Sequence, residues 1–524
     1  MQSEKPLSDW ESFGTRSKSS LKKHVISLQF RLMRKNLFDV AIIGAGVVGV
    51  CAARELARFM LKIAVLEKNY DVAEGSSKAN SGIVHGGYDA KPGTLKAKYN
   101  VQGQRMFDQI AEELDLPFRR NGSLVIADEE NANKLEGLKA QGIANGLKDL
   151  RVVHGEELRT LEPNLNDNVY AALVVPCGGI VCPYSMTIAF AENAAENGVE
   201  FMLGCSVVSI EKERDYFSLQ TSNGTICTKV IINAAGLYSD EINNMLSARK
   251  LKIRPRRGEY CLLDKTEGAL VNHTIFQLPT KMGKGVLVTP TTHGNLLLGP
   301  SSEDIDEKND TATTAVGLNN VLQLVRRSLN RLPANKIISS FTGLRSTLVP
   351  DGNLTNDFII EEAPDVPGLI NLCGIESPGL TAAPAIGIEV AQMVAERLKP
   401  NVNEKFNPIR KGIRHFRDMS LEERKTAIQD NPDYGHVICR CESVTKAEII
   451  AALRSPLSKM GNVNSLDAVK RRTRTGMGRC QSGFCWMRLI DIIAEECGID
   501  VTEVSKSGGC SNILVGLNKP GGPH

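Results

Sequence analysis

The segment Phe38-Asp39-Val40-Ala41-Ile42-Ile43-Gly44-Ala45-Gly46-Val47-Val48-Gly49 decides the fold. Its first half is an apolar run that is typical of a buried parallel strand. Among the glycines that follow, Gly44 allows a tight turn, Gly46 lets the backbone approach a pyrophosphate, and Gly49 lets a helix pack closely on the strand. Good helix formers continue to about Phe59. The N–H groups and partial positive charge at such a helix start favour phosphates.

A second strand over residues 62–66 ends in Glu67, which lies 18 residues beyond Gly49 and can accept hydrogen bonds from an adenosine ribose. The run Val230-Ile231-Ile232-Asn233-Ala234-Ala235-Gly236 predicts another buried strand, whose small residues pass close to the dinucleotide. We find one such fingerprint, whereas enzymes that use both FAD and NAD(P)H usually show two. These features favour FAD over NAD, because FAD stays bound and can pass electrons to a second redox centre.

Composition excludes several classes of protein. The 524 residues are too many for one simple domain, and 63 basic residues nearly balance 60 acidic ones. This balance, with 5% aromatic residues, argues against a nucleic-acid binder. No apolar run approaches the roughly 18 residues that span a bilayer, so we expect no transmembrane helix. The predicted divisions are an extension (1–36), an oxidoreductase domain (37–400), a linker (401–435), a cysteine module (436–497) and a tail (498–524) that wraps loosely over the surface.

Residues 1–36 are basic, and Leu21, Val25, Leu28 and Leu32 follow helical spacing. A basic amphipathic helix of this kind serves as an organelle-targeting segment or as a foot on a membrane surface. The alternatives are a disordered extension, or a start codon upstream of the natural one at Met33. We expect a cytoplasmic protein, with peripheral membrane contact as an option, or an organellar protein if the extension is a targeting segment.

Four of the 13 cysteines are clustered at the C-terminal end of the chain. Cys439 and Cys441 are one residue apart, Cys480 follows after 38 residues, and Cys485 after four more. Four thiolates meet the requirement of a 2Fe-2S cluster. Structural zinc sites more often pair cysteines two to four residues apart, so zinc is the less favoured alternative, and an empty site is the third. The nearby glycines allow backbone N–H groups to face the cluster sulfurs.

For the remaining cysteines, two of the histidines and a group of basic residues, the sequence favours structural or surface roles or leaves several roles open. The nine scattered cysteines read as small buried hydrophobes in a reducing compartment. His273 and His293 read as surface or loop residues. A basic group in the module either offsets the cluster charge, docks an acidic partner, or forms a solvated helix face. This group comprises Lys470, Arg471, Arg472, Arg474 and Arg479.

Four motifs in the right order carry a resemblance to a known family. They are residues 44–67, Asn80-Ser81-Gly82-Ile83-Val84-His85, Ala234-Ala235-Gly236 and Ser377-Pro378-Gly379-Leu380-Thr381. From about residue 38 to 400 the chain resembles the D-amino-acid-oxidase-like flavoproteins. Within them it resembles the FAD-dependent glycerol-3-phosphate dehydrogenases and oxidases, with L-2-hydroxyglutarate oxidases as near relatives. The cysteine segment resembles the bacterioferritin-associated-ferredoxin-like module of anaerobic glycerol-3-phosphate dehydrogenase large subunits, and residues 1–36 have no counterpart there.

The resemblance implies an α/β fold, in which a Rossmann-like FAD-binding domain is interleaved with a mixed-sheet α+β substrate domain. A small C-terminal helical cysteine module completes it. The resemblance also implies which residues hold FAD. They are Gly44, Gly46, Gly49, Glu67, Asn80, Ser81, Gly82, Ala235, Gly236, Gly379, Leu380 and Thr381.

The same resemblance implies catalytic roles. Ser81 and His85 would lie at the flavin and substrate, and Ser377 near the flavin ring. Lys284, in Gly283-Lys284-Gly285-Val286, would reach the substrate phosphate or the flavin edge. Arg345 would bind the anionic end of the substrate.

Elementary chemistry agrees with these roles. Oxidising a secondary alcohol takes a hydride acceptor, which a flavin supplies, and a proton acceptor. Histidine titrates near neutral pH, so His85 is the candidate base, and its alternative role is a structural hydrogen bond at the flavin. Arg345 suits either a phosphate or a carboxylate, and Lys284 adds a point charge.

Several functions therefore stay open. Glycerol-3-phosphate oxidation leads, and oxidation of L-2-hydroxyglutarate or a related 2-hydroxy acid or amine is the alternative. Two further hypotheses do not involve oxidation of a small substrate by this chain. One is an electron-transfer subunit without a small substrate, and the other is a scaffold with an empty flavin site. A cluster beside a flavin favours a dehydrogenase with a protein or quinone-linked acceptor over an oxidase.

Overall fold

The computed structural model describes residues 37–279, 285–351, 356–458 and 464–516. The N-terminal extension and Lys284 lie outside the described residues, and so do the predictions made for them. None of the helices in the described ranges is long and apolar enough to cross a membrane.

Strands are spread between residues 37 and 373 and return briefly in the cysteine module. They are, in chain order, β1 (Leu37–Ile43), β2 (Ile63–Leu66), β3 (Ile83–Val84), β4 (Phe118–Arg119), β5 (Ser123–Ala127), β6 (Arg151–His154), β7 (Ala171–Val175), β8 (Gly179–Val181), β9 (Glu200–Met202), β10 (Val207–Lys212), β11 (Phe217–Thr221), β12 (Gly224–Asn233), β13 (Ile253–Leu263), β14 (Thr274–Gln277), β15 (Leu287–Pro290), β16 (Leu296–Gly299), β17 (Glu303–Asp304), β18 (Ile337–Leu348), β19 (Ile359–Glu362), β20 (Leu369–Cys373), β21 (Val437–Cys439) and β22 (Val444–Thr445).

Helices alternate with these strands and dominate the C-terminal part. They are α1 (Val47–Leu56), α2 (Leu95–Leu114), α3 (Lys134–Ala144), α4 (Gly155–Leu161), α5 (Pro183–Glu196), α6 (Ser239–Leu246), α7 (Ala315–Val325), α8 (Gly379–Leu398), α9 (Leu421–Asp430), α10 (Lys446–Leu453), α11 (Leu466–Thr473) and α12 (Trp486–Cys497).

The first sheet is built around β1, which pairs in parallel with β2 on one side and β12 on the other. Strands β9 and β20 extend it in parallel, while β10, β11 and β19 join antiparallel. Helices α1, α2, α5 and α8 supply the core that covers this sheet. Close helix packing is needed here, because a Cβ on Gly387 of α8 would lie 2.8 Å from the backbone of Cys51 in α1. This arrangement is the predicted Rossmann-like domain.

The second sheet is mixed and has nine strands. Its longest pair is β13 with β18, which are antiparallel over Ile253–Leu263, and it also contains a parallel pair, β5 with β14. Its strands come from chain segments that lie between those of the first sheet. The two domains are therefore interleaved along the chain, which confirms the predicted fold class.

The cysteine module has a core of its own, in which Val469, Ile490 and Ile493 pack around Cys439 and Cys485. It consists of the β21–β22 hairpin followed by α10, α11 and α12.

The segments on either side of the module are more ordered than a linker and a loose tail. Residues 401–435 contain α9, which begins with a capping box at Ser420, and Arg410 binds Glu192 of the flavin domain at 2.7 Å. In the tail Val504 is buried. The charged, Pro- and Asn-containing composition of 401–435 concealed this packing, because the contacts are made by long polar side chains.

The scattered cysteines are not all buried, contrary to the sequence interpretation. Cys497 and Cys510 are exposed, and Cys177 is half-buried. The other six are buried, as expected. Cys497 is the last residue of α12, so its side chain lies where the helix meets solvent.

Candidate functional site

The glycine loop between β1 and α1 leaves no room for side chains. Gly44 has φ +107°, and a Cβ on it would lie 2.4 Å from the carbonyl oxygen of Ala234. A Cβ on Gly49 would lie 2.1 Å from the carbonyl oxygen of Gly44. The strand end that carries Ala235 and Gly236 therefore touches the glycine loop, as the sequence predicted, and backbone rather than side chains faces a ligand at this point.

Glu67 is buried beside the same loop. Its carboxylate accepts hydrogen bonds from the backbone N–H of Ala45 at 2.9 Å and from the N–H and side-chain amide of Asn69 at 2.9 and 2.8 Å. Burial raises the pKa of Glu67, and these hydrogen bonds oppose that shift. Ser77, which sequence reasoning missed, accepts a hydrogen bond from the Val47 N–H at 2.9 Å. No local pattern reveals Ser77, because its partner is 30 residues away.

The predicted flavin motif that starts at Asn80 forms a tight turn under β18. The Asn80 side chain accepts from the Gly82 N–H at 2.9 Å and donates to the carbonyl of Ser77 at 3.1 Å. A Cβ on Gly343 of β18 would lie 1.8 Å from the carbonyl oxygen of Ala79, so the strand crosses this turn in direct contact.

Two hydroxyl groups meet beside this turn. Ser81 Oγ and Tyr260 Oη lie 3.3 Å apart, and the Tyr260 ring stacks on Phe341 at 4.8 Å. Tyr260 was not predicted as a site residue. It lies on β13, where alternation of side chains alone cannot tell a core tyrosine from one that faces a ligand.

The structure brings His85, Ser377 and Thr381 together. His85 Nε2 and Ser377 Oγ lie 3.3 Å apart, and the His85 N–H donates to Thr381 Oγ1 at 2.9 Å. The His85 ring also lies 5.7 Å from that of Phe276. Gly379 and Leu380 open α8 directly before Thr381, so the helix start holds the histidine segment in place.

Arg345 lies on β18 and is half-buried. Nη2 donates to the carbonyl of Ser301 at 2.9 Å, whereas Nε is buried and lacks a partner. Burial lowers the pKa of Arg345, and electrostatic interactions with Tyr260 and Glu376 oppose this shift. Arg345 therefore interacts electrostatically with Tyr260, the partner of Ser81, and with Glu376, the residue before Ser377. Among the described residues no carboxylate forms an ion pair with it, so this cation is available to an anionic ligand.

The four clustered cysteines form two close pairs, Cys441 with Cys480 and Cys439 with Cys485. Cys441 Sγ and Cys480 Sγ are 3.6 Å apart. A tetrahedral metal site with thiolate bonds of about 2.3 Å places two sulfurs about 3.8 Å apart, so this spacing suits a shared metal centre. A hydrogen bond from Cys485 lowers the pKa of Cys439 to about 6, and the N–H groups of Gly476 and Glu442 also donate to Cys439.

Glycines line this thiol cluster closely. A Cβ on Gly478 would lie 2.2 Å from the Cβ of Cys441, and Gly476 has φ +86°. The loop can follow this path only with glycine at both positions. The backbone N–H groups therefore reach the sulfurs, as the sequence predicted, and the residues present fit a thiolate-ligated cluster.

Most of the basic group in the module binds the rest of this chain, which none of the sequence interpretations foresaw. Arg472 holds Asp71 with two hydrogen bonds of 2.8 and 2.9 Å, and Arg471 binds Asp71 at 2.7 Å and Glu74 at 2.6 Å. The side chains of Asp71 and Arg472 are each 1% exposed. Although burial raises the pKa of Asp71, the charges of Arg472 and Arg471 hold it at about 2.

Two further arginines continue this contact. Arg474 donates from Nε to Glu442 at 2.8 Å, from Nη1 to Tyr184 at 2.9 Å and from Nη2 to Asn295 at 3.3 Å. Arg479 pairs with Asp264 at 3.1 Å. The acidic partner that the basic residues suggested is therefore mainly the flavin domain itself.

A cavity of about 730 Å³ lies between the flavin turn and the module. Asn80, Ser81 and Gly82 line one side, and Arg474 and Met477 line the other.

His293 lies in the turn between β15 and β16, as expected of a loop residue, and it lines this cavity. Its Nε2 is buried and lacks a partner, and Nδ1 lies 3.1 Å from Arg417 Nη2. Burial, followed by the charges of Arg474 and Arg417, holds the pKa of His293 well below its ordinary value. His273 is half-buried and contacts Glu162 at 2.8 Å.

A dinucleotide loop, a histidine–serine pair and a four-thiol module define a flavin-dependent oxidoreductase with an attached redox centre. Residues 39–393 match the model of the FAD dependent oxidoreductase family, and residues 437–495 match that of the BFD-like [2Fe-2S] binding domain. The chain belongs to the FAD dependent oxidoreductase family. Its cofactors are FAD and a 2Fe-2S cluster, as predicted, and the zinc alternative is set aside.

The relatives and solved structures that resemble this chain match different fractions of it. A glycerol 3-phosphate dehydrogenase of Caloramator mitchellensis is 48% identical over 92% of this chain and 99% of its own length. An L-2-hydroxyglutarate dehydrogenase of Indibacter alkaliphilus is 29% identical over 69% of this chain and 99% of its own. The structure of an FAD-bound L-alpha-glycerophosphate oxidase from Mycoplasma pneumoniae is 32% identical, with a TM-score of 0.67 over 71% of this chain and 98% of its own.

Proposed function

We propose that this protein oxidises sn-glycerol 3-phosphate to dihydroxyacetone phosphate, and that the electrons leave through the 2Fe-2S cluster. The observation that carries the proposal is the Arg345 guanidinium, which forms no ion pair among the described residues and interacts electrostatically with Glu376, the residue before Ser377. This arrangement suits a small alcohol with an anionic end. The relatives named for glycerol 3-phosphate supply the particular substrate.

In this reaction the C2–H bond of the substrate breaks, the hydroxyl loses its proton, and a C=O bond forms. FAD, when bound, supplies the acceptor for the hydride with its two electrons. His85 Nε2 takes the hydroxyl proton by way of Ser377 Oγ, which lies 3.3 Å from that nitrogen and gives it one proton as it receives another from the substrate. Thr381 holds the His85 backbone from the first turn of α8. Arg345 binds the phosphate oxygens, and Lys284 adds a second positive charge.

The chain lengths of the relatives support a dehydrogenase rather than an oxidase. Of the two relatives described above that are named for glycerol 3-phosphate or glycerophosphate, the dehydrogenase matches 92% of this chain, whereas the oxidase structure matches 71% of this chain and 98% of its own length. A 2Fe-2S cluster passes electrons one at a time, so its presence favours an external one-electron or quinone-linked acceptor.

A second candidate substrate is L-2-hydroxyglutarate or a related 2-hydroxy acid. Arg345 binds a carboxylate as readily as a phosphate, and a relative named for L-2-hydroxyglutarate matches 69% of the chain.

An anaerobic titration distinguishes these functions. Glycerol 3-phosphate and then L-2-hydroxyglutarate are added to the purified holoprotein while the flavin absorbance is followed. We expect glycerol 3-phosphate alone to bleach the flavin at stoichiometric amounts. Bleaching only by the hydroxy acid would move the protein to the second candidate, and no bleaching by either would favour an electron-transfer subunit without a small substrate.

A further inference from the structure

The cluster-binding loops reach the molecular surface. Cys439 and Cys485 are buried, but Cys441 is exposed and Cys480 is half-buried. Two large apolar side chains stand beside them in solvent: Phe484, which precedes Cys485, is 89% exposed, and Met487 in the first turn of α12 is 59% exposed. Single exposed hydrophobic residues are common, but two of them within one helical turn of a cluster ligand mark a surface for another molecule.

Three arginines lie next to the cluster ligands or these apolar side chains along the chain. Arg440 lies between Cys439 and Cys441, Arg479 precedes Cys480, and Arg488 lies in the first turn of α12. All three are exposed. Among the described residues neither Arg440 nor Arg488 forms an ion pair, while Arg479 pairs with Asp264. Aromatic residues, methionine and arginine are the types enriched at protein interfaces.

We propose that these five residues form a docking surface, the exit face, for an acidic one-electron acceptor protein. The exit face comprises Arg440, Arg479, Phe484, Met487 and Arg488. This inference rests on the proposed function, because it assumes that electrons leave through the cluster. Each substrate releases two electrons, so two acceptor molecules are each reduced by one electron for every alcohol oxidised.

Charge and size favour this occupant over a second copy of the chain. In a symmetric dimer the same patch lies on both sides, so the arginines of one exit face would meet those of the other. An acidic partner instead meets a complementary charge, which accelerates encounter. A small surface also suits electron transfer, because such complexes are weak and bury less than about 1,200 Å².

Binding to two haem proteins of opposite charge tests the exit face without turnover. The probes are cytochrome b5, which is acidic, and cytochrome c, which is basic, and calorimetry measures their binding to the full-length holoprotein at low salt. The test variant is Arg440→Glu/Arg488→Glu, and Phe484→Ser tests the apolar part. The matched control reverses two exposed arginines that lie outside the module, Arg214→Glu/Arg327→Glu.

We expect the wild type to bind cytochrome b5 and the double exit-face variant to bind it at least about tenfold more weakly. Binding by Phe484→Ser should also weaken, the matched control should bind like the wild type, and cytochrome c should gain affinity for the double variant. The proposal would be overturned if the control and the exit-face variant lost affinity for cytochrome b5 equally, or if neither lost affinity. Sedimentation that shows a wild-type dimer dissociated by the exit-face change would also overturn it.

The visible absorbance of the cluster must be unchanged in every variant, since the substituted side chains are exposed. Flavin bleaching by glycerol 3-phosphate is recorded separately on each variant. If bleaching fails while the charge-dependent binding holds, the proposed substrate is wrong and the exit face stands. If bleaching holds and binding shows no charge dependence, the exit face alone is wrong.

Discussion

Replacing Asp71 with asparagine should weaken both the fold and the hold on FAD. Asp71 is 1% exposed and accepts hydrogen bonds from both Arg471 and Arg472. Removing one partner of a buried ion pair costs about 3–5 kcal/mol, because the other charge stays buried without compensation. Arg471 keeps Glu74 at 2.6 Å after the change, but the next carboxylate from Arg472 is Glu192 at 3.8 Å. We therefore expect the lower half of that range, about 3 kcal/mol.

The effect should extend to the flavin through a short path of contacts. Two residues after Asp71, the N–H of Ala73 donates to the carbonyl of Ala45 in the glycine loop at 3.1 Å. Urea denaturation of the holoprotein measures the loss of stability, and dialysis followed by flavin absorbance measures FAD retention. The control is Asp467→Asn, which breaks a partly exposed pair with Lys506 worth about 0–1 kcal/mol. A loss below about 1 kcal/mol with full FAD retention in Asp71→Asn would refute the reasoning.

Three further predictions test other parts of the account. Because the pKa of Asp71 is held at about 2, below its ordinary 3.8, its contribution of roughly 2 kcal/mol is present above pH 4 and lost as pH falls toward 2. Acid unfolding curves should show this loss in the wild type and not in Asp71→Asn. Arg345→Lys keeps the charge but loses the paired N–H donors, so kcat/KM for glycerol 3-phosphate should fall about 10²-fold or more, and an unchanged value would contradict the assignment. Gly478→Ala places a Cβ 2.2 Å from Cys441, so iron analysis should show cluster loss with FAD retained; retention of both would contradict the close packing.

The sequence predicted those features whose determinants are local. The β1–glycine loop–α1 unit follows from 12 consecutive residues, and the cluster follows from cysteine spacing. Gly44 has the positive φ that the tight turn requires, and Gly476 lets its N–H reach Cys439. In each case one short stretch of chain sets both the backbone conformation and its ligand-facing groups.

Contacts between distant parts of the chain could not be predicted in this way. Asp71 and Arg472 are 401 residues apart, and no feature of either segment names the other as its partner. The same holds for His293, because Arg417 and Arg474, whose charges lower its pKa, come from the C-terminal part of the chain. The sequence of a basic helix is compatible both with a solvent-exposed face and with a face buried against acidic residues. Only the tertiary structure shows which of the two is formed.

In the proposed reaction, electrons from glycerol 3-phosphate pass through the flavin to the 2Fe-2S cluster of the same chain. Low-temperature EPR of the anaerobic holoprotein after addition of glycerol 3-phosphate tests it most directly. The account predicts that the signal of a reduced 2Fe-2S cluster appears with substrate alone, together with flavin bleaching. Flavin bleaching without a cluster signal, in protein whose cluster dithionite does reduce, would contradict it.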